Sequence, residues 1–301
     1  MVVRAIERGF WRKYKKAMSK TIIVLAILFV SNLSNAQERV LLNVTYEFRY
    51  VRDLANPDAP YETNMTLSLG KHSSRYCTQK LYYENSDGAK HEREKQQENI
   101  SAKPLKVVSG GPLLLVNKHG AIINEEIIKD ISARKLTVNA VLGIKAYEME
   151  IDLPKINWDI QDENKVIGDY TCQKALGEYG GRTYEVWFTP DLPFQDGPWK
   201  LSGLPGLILE ARDTRNEVSF LFKELSRTSG GKETTASLLN HGFSIQTNVR
   251  AFNKAKKAFE TDPESVMAAQ APNATVAVKN IDAPDATAVV KIKKYNPMEL
   301  D

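Results

Sequence analysis

Cys77 and Cys172 are the only thiols in the sequence, and His72, His91, His119 and His241 are the only imidazoles. A thiolate activated by a histidine and oriented by a carboxylate can attack a carbonyl, so Cys172 with His241 is the minimal nucleophilic pair this chain could assemble. A small residue inside a strand accounts for Cys172 equally well. Two cysteines are too few for a structural zinc site, which takes four ligands in closely spaced pairs. The His-Glu-x-x-His pattern of metalloprotease helices does not occur. No metal and no cofactor is expected. In an oxidising compartment Cys77 and Cys172 could instead close a disulfide, worth up to ~4–5 kcal/mol for so long a loop in the chain-entropy model, or remain separate core residues.

Other candidates are weaker. Glu125-Glu126 and the Glu148/Glu150 pair could do acid–base work, but neighbouring carboxylates on a solvated strand face read the same way. Gly110-Gly111 and Gly180-Gly181 lack the spacing and the following Lys-Ser/Thr of a phosphate loop. The aromatic residues suggest binding. Trp158, Trp187 and Trp199 fall close together, with Tyr179, Tyr184 and Arg182 among them. On a curved sheet Trp158, Tyr179, Arg182, Trp187 and Trp199 could line a ligand groove. They could equally form the core of that sheet.

The elements that would position these residues are strands. Residues 42–50 alternate, with Leu42, Val44, Tyr46, Phe48 and Tyr50 facing one way and Asn43, Thr45, Glu47 and Arg49 the other, the pattern of a half-buried antiparallel strand. Residues 64–70, 74–83 and 145–154 continue the series. A hairpin is expected about 117–120, another about Gly180-Gly181, and a third about 213–216. Such spacing predicts a mainly β chain, an antiparallel sheet curved as a sandwich or a partly open barrel. Helix is scarce. The best case is 248–262, where Phe252, Ala255 and Phe259 recur at near-helical spacing. Residues 263–288 are rich in Ala, Pro and Asn and read as a flexible loop or tail, followed by a C-terminal strand or tail over 289–301.

The glycine- and proline-rich stretch 197–213 combines turn chemistry with an apolar run. Pro205 suits the second position of a tight turn and Gly206 the left-handed third position of a type II turn. Gly203, without a Cβ, would let another backbone lie close. Leu207 and Ile208 would then enter a strand. This reads as a chain that leaves the sheet, crosses an apolar surface and returns, closing one end of the core.

The N-terminus carries an address. Seven basic residues and one glutamate precede the apolar run 21–30, and Ser34-Asn35-Ala36 follows. This is the pattern of a secretory signal peptide cleaved after Ala36. The run is shorter than the ~20 apolar residues of a membrane span, although an uncleaved anchor is the competing reading. No cysteine near the junction offers a site for a lipid anchor, and Met18 is an alternative start. Removing residues 1–36 leaves 34 basic and 36 acidic residues of the original 41 and 37, a net charge of −2. The basic balance of the whole chain is therefore no argument for nucleic acid, which needs a basic face. The domain plan is a signal peptide over 1–36, one antiparallel β domain over 37–262, then the two C-terminal segments.

The block 203–208, Gly-Leu-Pro-Gly-Leu-Ile, resembles the namesake motif of the GLPGLI family of secreted Gram-negative proteins. Residues 167–175, 181–213 and the Tyr-Asn-Pro-Met-Glu-Leu ending at 295–300 resemble that family in the same order, most strongly between Trp158 and Asp213. The resemblance implies export and a β fold. It brings no catalytic residues, because the family is largely without assigned function, so Gly203, Leu204, Pro205, Gly206, Leu207 and Ile208 are expected to be structural before functional. The reading that follows is an exported cell-envelope protein, periplasmic or surface-exposed, that binds a partner or ligand without catalysis. The alternatives are a periplasmic carrier of a lipid or other apolar ligand, and an enzyme. The expected partner is an envelope protein or an apolar ligand, with no nucleic acid and no membrane span in the mature chain. N-terminal sequencing of envelope-derived protein should begin at Gln37; an intact Met1 or Met18 start would refute the cleavage site.

Overall fold

The computed structural model describes residues 38–84, 114–116, 125–228, 235, 244–270, 276–278 and 294–299. The expected signal peptide, the hairpin turn about 117–120, and His91, His119 and His241 lie outside them. The Cys172–His241 pair therefore lies outside them too.

The chain is mainly β, as its periodicity predicts. In order come β1 (Leu42–Tyr50), β2 (Tyr61–Leu69), β3 (Ser73–Thr78), helix α1 (Gln79–Glu84), β4 (Leu114–Val116), β5 (Glu125–Asp130), β6 (Lys135–Leu142), β7 (Lys145–Asp152) and β8 (Asp159–Ile167). Then follow β9 (Tyr170–Tyr179), β10 (Arg182–Thr189), β11 (Leu207–Asp213), β12 (Val218–Arg227), β13 (Ile245–Gln246), helices α2 (Val249–Thr261) and α3 (Pro263–Gln270), and β14 (Val276–Val278). Twelve strands make one sheet in the order β13-β7-β6-β5-β3-β2-β1-β12-β11-β10-β9-β8, and β14 pairs with β4 separately. Among the described residues the sheet is not closed into a barrel. Pairing is antiparallel except for β13 on β7 and β14 on β4.

Three meanders explain this order. β1–β3, β5–β7 and β8–β12 each pair consecutive strands in sequence order, the last interrupted by the long crossing 190–206 between β10 and β11, and β1 joins the first meander to the last by pairing with both β2 and β12. Register shifts at Thr45/Tyr46, Trp187/Phe188 and Ile160/Asn164 mark bulges, which bend strands and raise local twist. The two expected hairpins within the described residues are present: Gly180 and Gly181 both take positive φ between β9 and β10, and Asn216 does so between β11 and β12.

One face of the sheet carries the core. Phe48 stacks on Phe220 with ring centroids 5.1 Å apart, and Trp199 stacks on Phe220 at 6.4 Å. The opposite face of the centre is also covered: β1 is buried without a break from Leu42 to Tyr46. There Asn43 donates to the Tyr82 hydroxyl of α1 (3.0 Å). Clean alternation in the sequence therefore overstated how far the polar side of β1 meets water.

Local signals explain two differences from the sequence reading. The run 74–83 is not one strand: it stops at Thr78, whose Oγ1 accepts from the Leu81 N–H (3.2 Å) and caps α1. Residues 263–270 are helical, not a loop. Asp262 accepts from the Ser265 N–H (3.3 Å) and hydroxyl (2.8 Å), and Pro263 occupies the first helical position, where its missing N–H is harmless. Composition hid that cap. Residues 294–299 are docked. Asn296 N–H donates to Arg52 O (2.9 Å), and Tyr295 forms a bridge with Asp53. Helix α2 begins and ends as its pattern predicts, with Asn248 accepting from the Ala251 N–H (3.0 Å) and Phe252 and Phe259 buried.

The stretch 190–206 crosses the core face between β10 and β11. Leu192, Trp199, Leu201 and Leu204 are buried in it. The roles expected for its two glycines are exchanged. Gly203 takes φ +98°, while Gly206 does not adopt a left-handed φ. A Cβ on Gly206 would stand 2.2 Å from Thr189 O and 2.6 Å from its carbonyl carbon, so Gly206 is the close approach. The type II turn is absent because the Leu207 N–H that would close it donates instead to Leu192 O (3.0 Å). Gly206→Ala should therefore destabilise more than Gly203→Ala. The first drives a methyl into backbone that cannot yield, while the second makes only an ordinary contact, 3.8 Å from Trp158 Nε1, and costs about 1–2 kcal/mol for φ alone. Ile208→Ala should cost roughly 2–5 kcal/mol, since Ile208 is fully buried. Thermal midpoints of the three variants check this, and equal melting for Gly206→Ala and the parent would refute the close-approach account.

Candidate functional site

Two buried cations build the site. Lys129 of β5 has no solvent exposure. Its ammonium donates to Asp196, to Gly197 O (2.7 Å) and to Leu201 O (3.3 Å), which uses all three N–H bonds. Burial pulls its pKa below the ordinary lysine value, and the Asp196 carboxylate opposes that shift. The contact pins the segment 196–201 across the core. Within it Leu201 N–H closes a turn on Pro198 O (3.1 Å), and Trp199 takes φ +54°. A left-handed tryptophan costs of order 1–3 kcal/mol and persists only where its surroundings impose it.

Arg182, at the start of β10, is the second cation. Nε donates to Met298 O (3.0 Å). One terminal nitrogen donates to Asp213 and Glu217 (2.7 Å each), the other to Asn296 Oδ1 and Pro297 O (2.8 Å each). These are all five guanidinium donors. Burial lowers its pKa, but the hydrogen bonds and charges of Glu217 and Asp213 outweigh that and leave it raised. Arg182 thus clamps the C-terminal segment and has no donor left for a ligand, contrary to the groove expected from the sequence.

The clamped segment, helix α2 and the Trp199 turn enclose a cavity of about 400 Å³ over β5 and β6. Its apolar wall is Val138, Trp199, Phe252, Pro297 and Met298, and its polar lining includes Glu125, Lys200, Lys254, Lys256, Lys257 and Glu299. Lys256 pairs with Glu125 at 2.5 Å, and Lys200 pairs with Glu299. Burial would lower the Lys256 pKa, but Glu125 and Glu260 raise it above the usual lysine range. Glu260 is 5% exposed, with the Lys256 ammonium and the Tyr295 hydroxyl as its polar neighbours. Burial raises its pKa, with Lys256 opposing. Beyond the Glu125–Lys256 pair a void of about 30 Å³ continues inward to Phe48, Met65, Ile127, Tyr76 and Phe220.

The five groove candidates are only partly brought together. Trp199 lines this cavity, and Tyr179 meets Trp199 edge-on at 5.3 Å while lining a neighbouring cleft of about 470 Å³ with Arg182. Trp158 lies against Gly177 and donates to Ser202 O (2.9 Å). Trp187 sits apart beneath the Lys165 ammonium, 4.4 Å from its ring centroid, on the strand face opposite Val186. Sequence reasoning missed Lys200, Glu299 and the lysines of α2, and singled out Glu125 only as half of an acid–base pair with Glu126. The Lys254–Lys257 spacing on a recognised helix was the available signal.

The two thiols stand apart. Cys77 and Cys172 are buried and free, on β3 and β9, with five strands between them in the sheet. A disulfide needs Cα atoms within ~7 Å. Burial pushes the Cys77 thiol up to about 12 and the Cys172 thiol up to about 11, away from thiolate chemistry. Glu126 faces away from Glu125, accepting from Asn139 (3.3 Å), while Glu148 accepts from Gln246 (2.7 Å) and Glu150 pairs with Lys135 (3.7 Å). Among the described residues no group of three or more His, Cys, Asp or Glu could hold a metal ion, and no helix is long and apolar enough to cross a membrane.

Comparison with known proteins finds a likeness over one stretch. A family model described as "Protein of unknown function (Porph_ging)" matches residues 180–210, the span from the Gly180-Gly181 turn through the segment Lys129 pins. No curated protein matches. Two solved structures of PNGF-II, in P21 and C2 crystal forms, are similar at 14% identity, with TM-scores of 0.48 and 0.47. Each covers 72% of this chain, which spans 33% of theirs.

Arg182→Ala should destabilise by about 3–5 kcal/mol, because Asp213 and Glu217 lose their cation and the C-terminal segment its clamp. Arg182→Lys should recover only part of this, since one ammonium cannot serve five acceptors. Urea unfolding midpoints test both. An Arg182→Ala variant as stable as the parent would show that the clamp is dispensable.

Proposed function

We propose that this chain is a non-enzymatic binding protein of the cell envelope that takes a small ligand in the cavity between α2, the Trp199 turn and the C-terminal segment. The observation that carries the reading is that cavity. It joins an apolar wall to a lysine-rich rim, and its volume falls within the ~300–1,000 Å³ of small-ligand pockets. The strained backbone of Trp199 supports it, because strain of that kind concentrates at ligand clamps. The buried thiols and the paired glutamates around the cavity favour binding over catalysis.

Export and membership of the GLPGLI family belong to the same proposal. The family reading draws on motifs at 167–175 and 295–300 that lie beyond the matched residues 180–210. A carrier of an apolar ligand is the specific form of this function that the cavity wall favours.

A neutral solvatochromic dye such as Nile red should bind the intact protein saturably, at one site. Asn253→Trp, which adds a ring on the α2 side of the cavity, should weaken that binding at least about tenfold, ~1.4 kcal/mol, with an unchanged melting midpoint. Dye binding that ignores Asn253→Trp would place the ligand elsewhere.

A further inference from the structure

Of the six charged groups lining the cavity, four are already matched: Glu125 with Lys256 and Glu299 with Lys200. Glu299 also accepts from the Tyr179 hydroxyl (3.2 Å). Lys254 and Lys257 are exposed at the rim, and among the described residues neither has an anionic partner. They stand three residues apart on α2, so they are neighbours on one helix face, where like charges repel. An anion between them would relieve that repulsion. The cavity therefore offers a cationic mouth above an aromatic and aliphatic wall.

The inner end carries a second, independent observation. Tyr76 is 3% exposed, lines the small inner void, and its hydroxyl has no hydrogen-bond partner. Buried hydroxyls are ordinarily satisfied. That void shares Glu125, Trp199, Lys256 and Met298 with the main cavity. A ligand entering past the lysines is directed along Trp199 and Met298 toward it.

We infer that the cavity binds a small amphiphile with an anionic head, the head against Lys254 and Lys257 and the apolar part on Trp199, Phe252 and Met298. The inference rests on the ligand-binding reading above and names the ligand class for that site. Carboxylate and phosphate heads share the chemistry, since lysine meets either as a point charge. The pairing of the two glutamates removes the anionic repulsion that would otherwise turn such a head away.

The test is calorimetric titration of the intact protein with decanoate, decyl phosphate and decanol. At least one anion should bind about tenfold more tightly than the alcohol, as expected for two partly exposed ion pairs, and high salt should reduce that preference. Whichever anion binds more tightly identifies the head. Lys254→Gln/Lys257→Gln should bring the anion down to the alcohol's affinity and leave the alcohol and the melting midpoint unchanged. Equal binding of acid and alcohol by the parent would overturn the anionic head while leaving the cavity as a ligand site. An anion preference that survives the double substitution would overturn the placement at α2. Binding of none of the three would overturn this inference and the ligand-binding reading together.

Discussion

A buried guanidinium holds this architecture together. Arg182 joins the start of β10, the Asp213–Glu217 turn and the C-terminal segment 296–298 through five hydrogen bonds. An isolated cation there would face a desolvation cost of several kcal/mol. Two carboxylates and three amide-type oxygens offset it. The same carboxylates organise the backbone: Asp213 accepts from the N–H groups of Glu217 and Val218 (2.8 and 2.9 Å), and Glu217 accepts from Asn296 (3.0 Å). Asn296 in turn donates to Val51 O (2.8 Å). Charge, turn and tail are thus one unit, and the wall formed by Pro297 and Met298 exists because of it.

Lys129 plays the matching part on the other side. It reaches from β5 to the segment between β10 and β11 and ties down the turn that carries Trp199. The glycines of that segment serve the same end. Gly206 lets the chain pass against the Thr189 backbone, and a Cβ on Gly197 would stand 2.8 Å from Ile208 Cβ. Leu204, Leu207 and Ile208 fill the core beneath. The Gly-Leu-Pro-Gly-Leu-Ile block is thereby a packing device. Its consequence for function is indirect: it sets Trp199 as one wall of the cavity.

Strands and hairpins were legible because their signals are local. The alternation of residues 42–50, the Gly180-Gly181 pair and the 213–216 turn each depend on a few consecutive residues, and β1, the β9–β10 hairpin and the β11–β12 hairpin formed where expected. The helix at Pro263–Gln270 was legible too, through Asp262 and Pro263, but average composition outweighed the cap. The exchange of roles between Gly203 and Gly206 was not legible. Both residue types fit both roles, and the choice depends on the Leu207–Leu192 hydrogen bond across fifteen residues.

The sequence by itself determined the elements: the strand periods, the cap at Asn248 and the apolar face of α2, since each follows from backbone geometry and side-chain spacing over a few residues. Only the tertiary structure decided which side chains meet. It placed Cys77 and Cys172 on strands too far apart to pair, turned Arg182 from a candidate ligand contact into an internal clamp, and gathered Trp199, Lys254 and Met298 around one cavity. These contacts join residues tens to more than a hundred positions apart. Sheet order brings them together, and sheet order depends on the summed packing of all the strands, which no local stretch encodes.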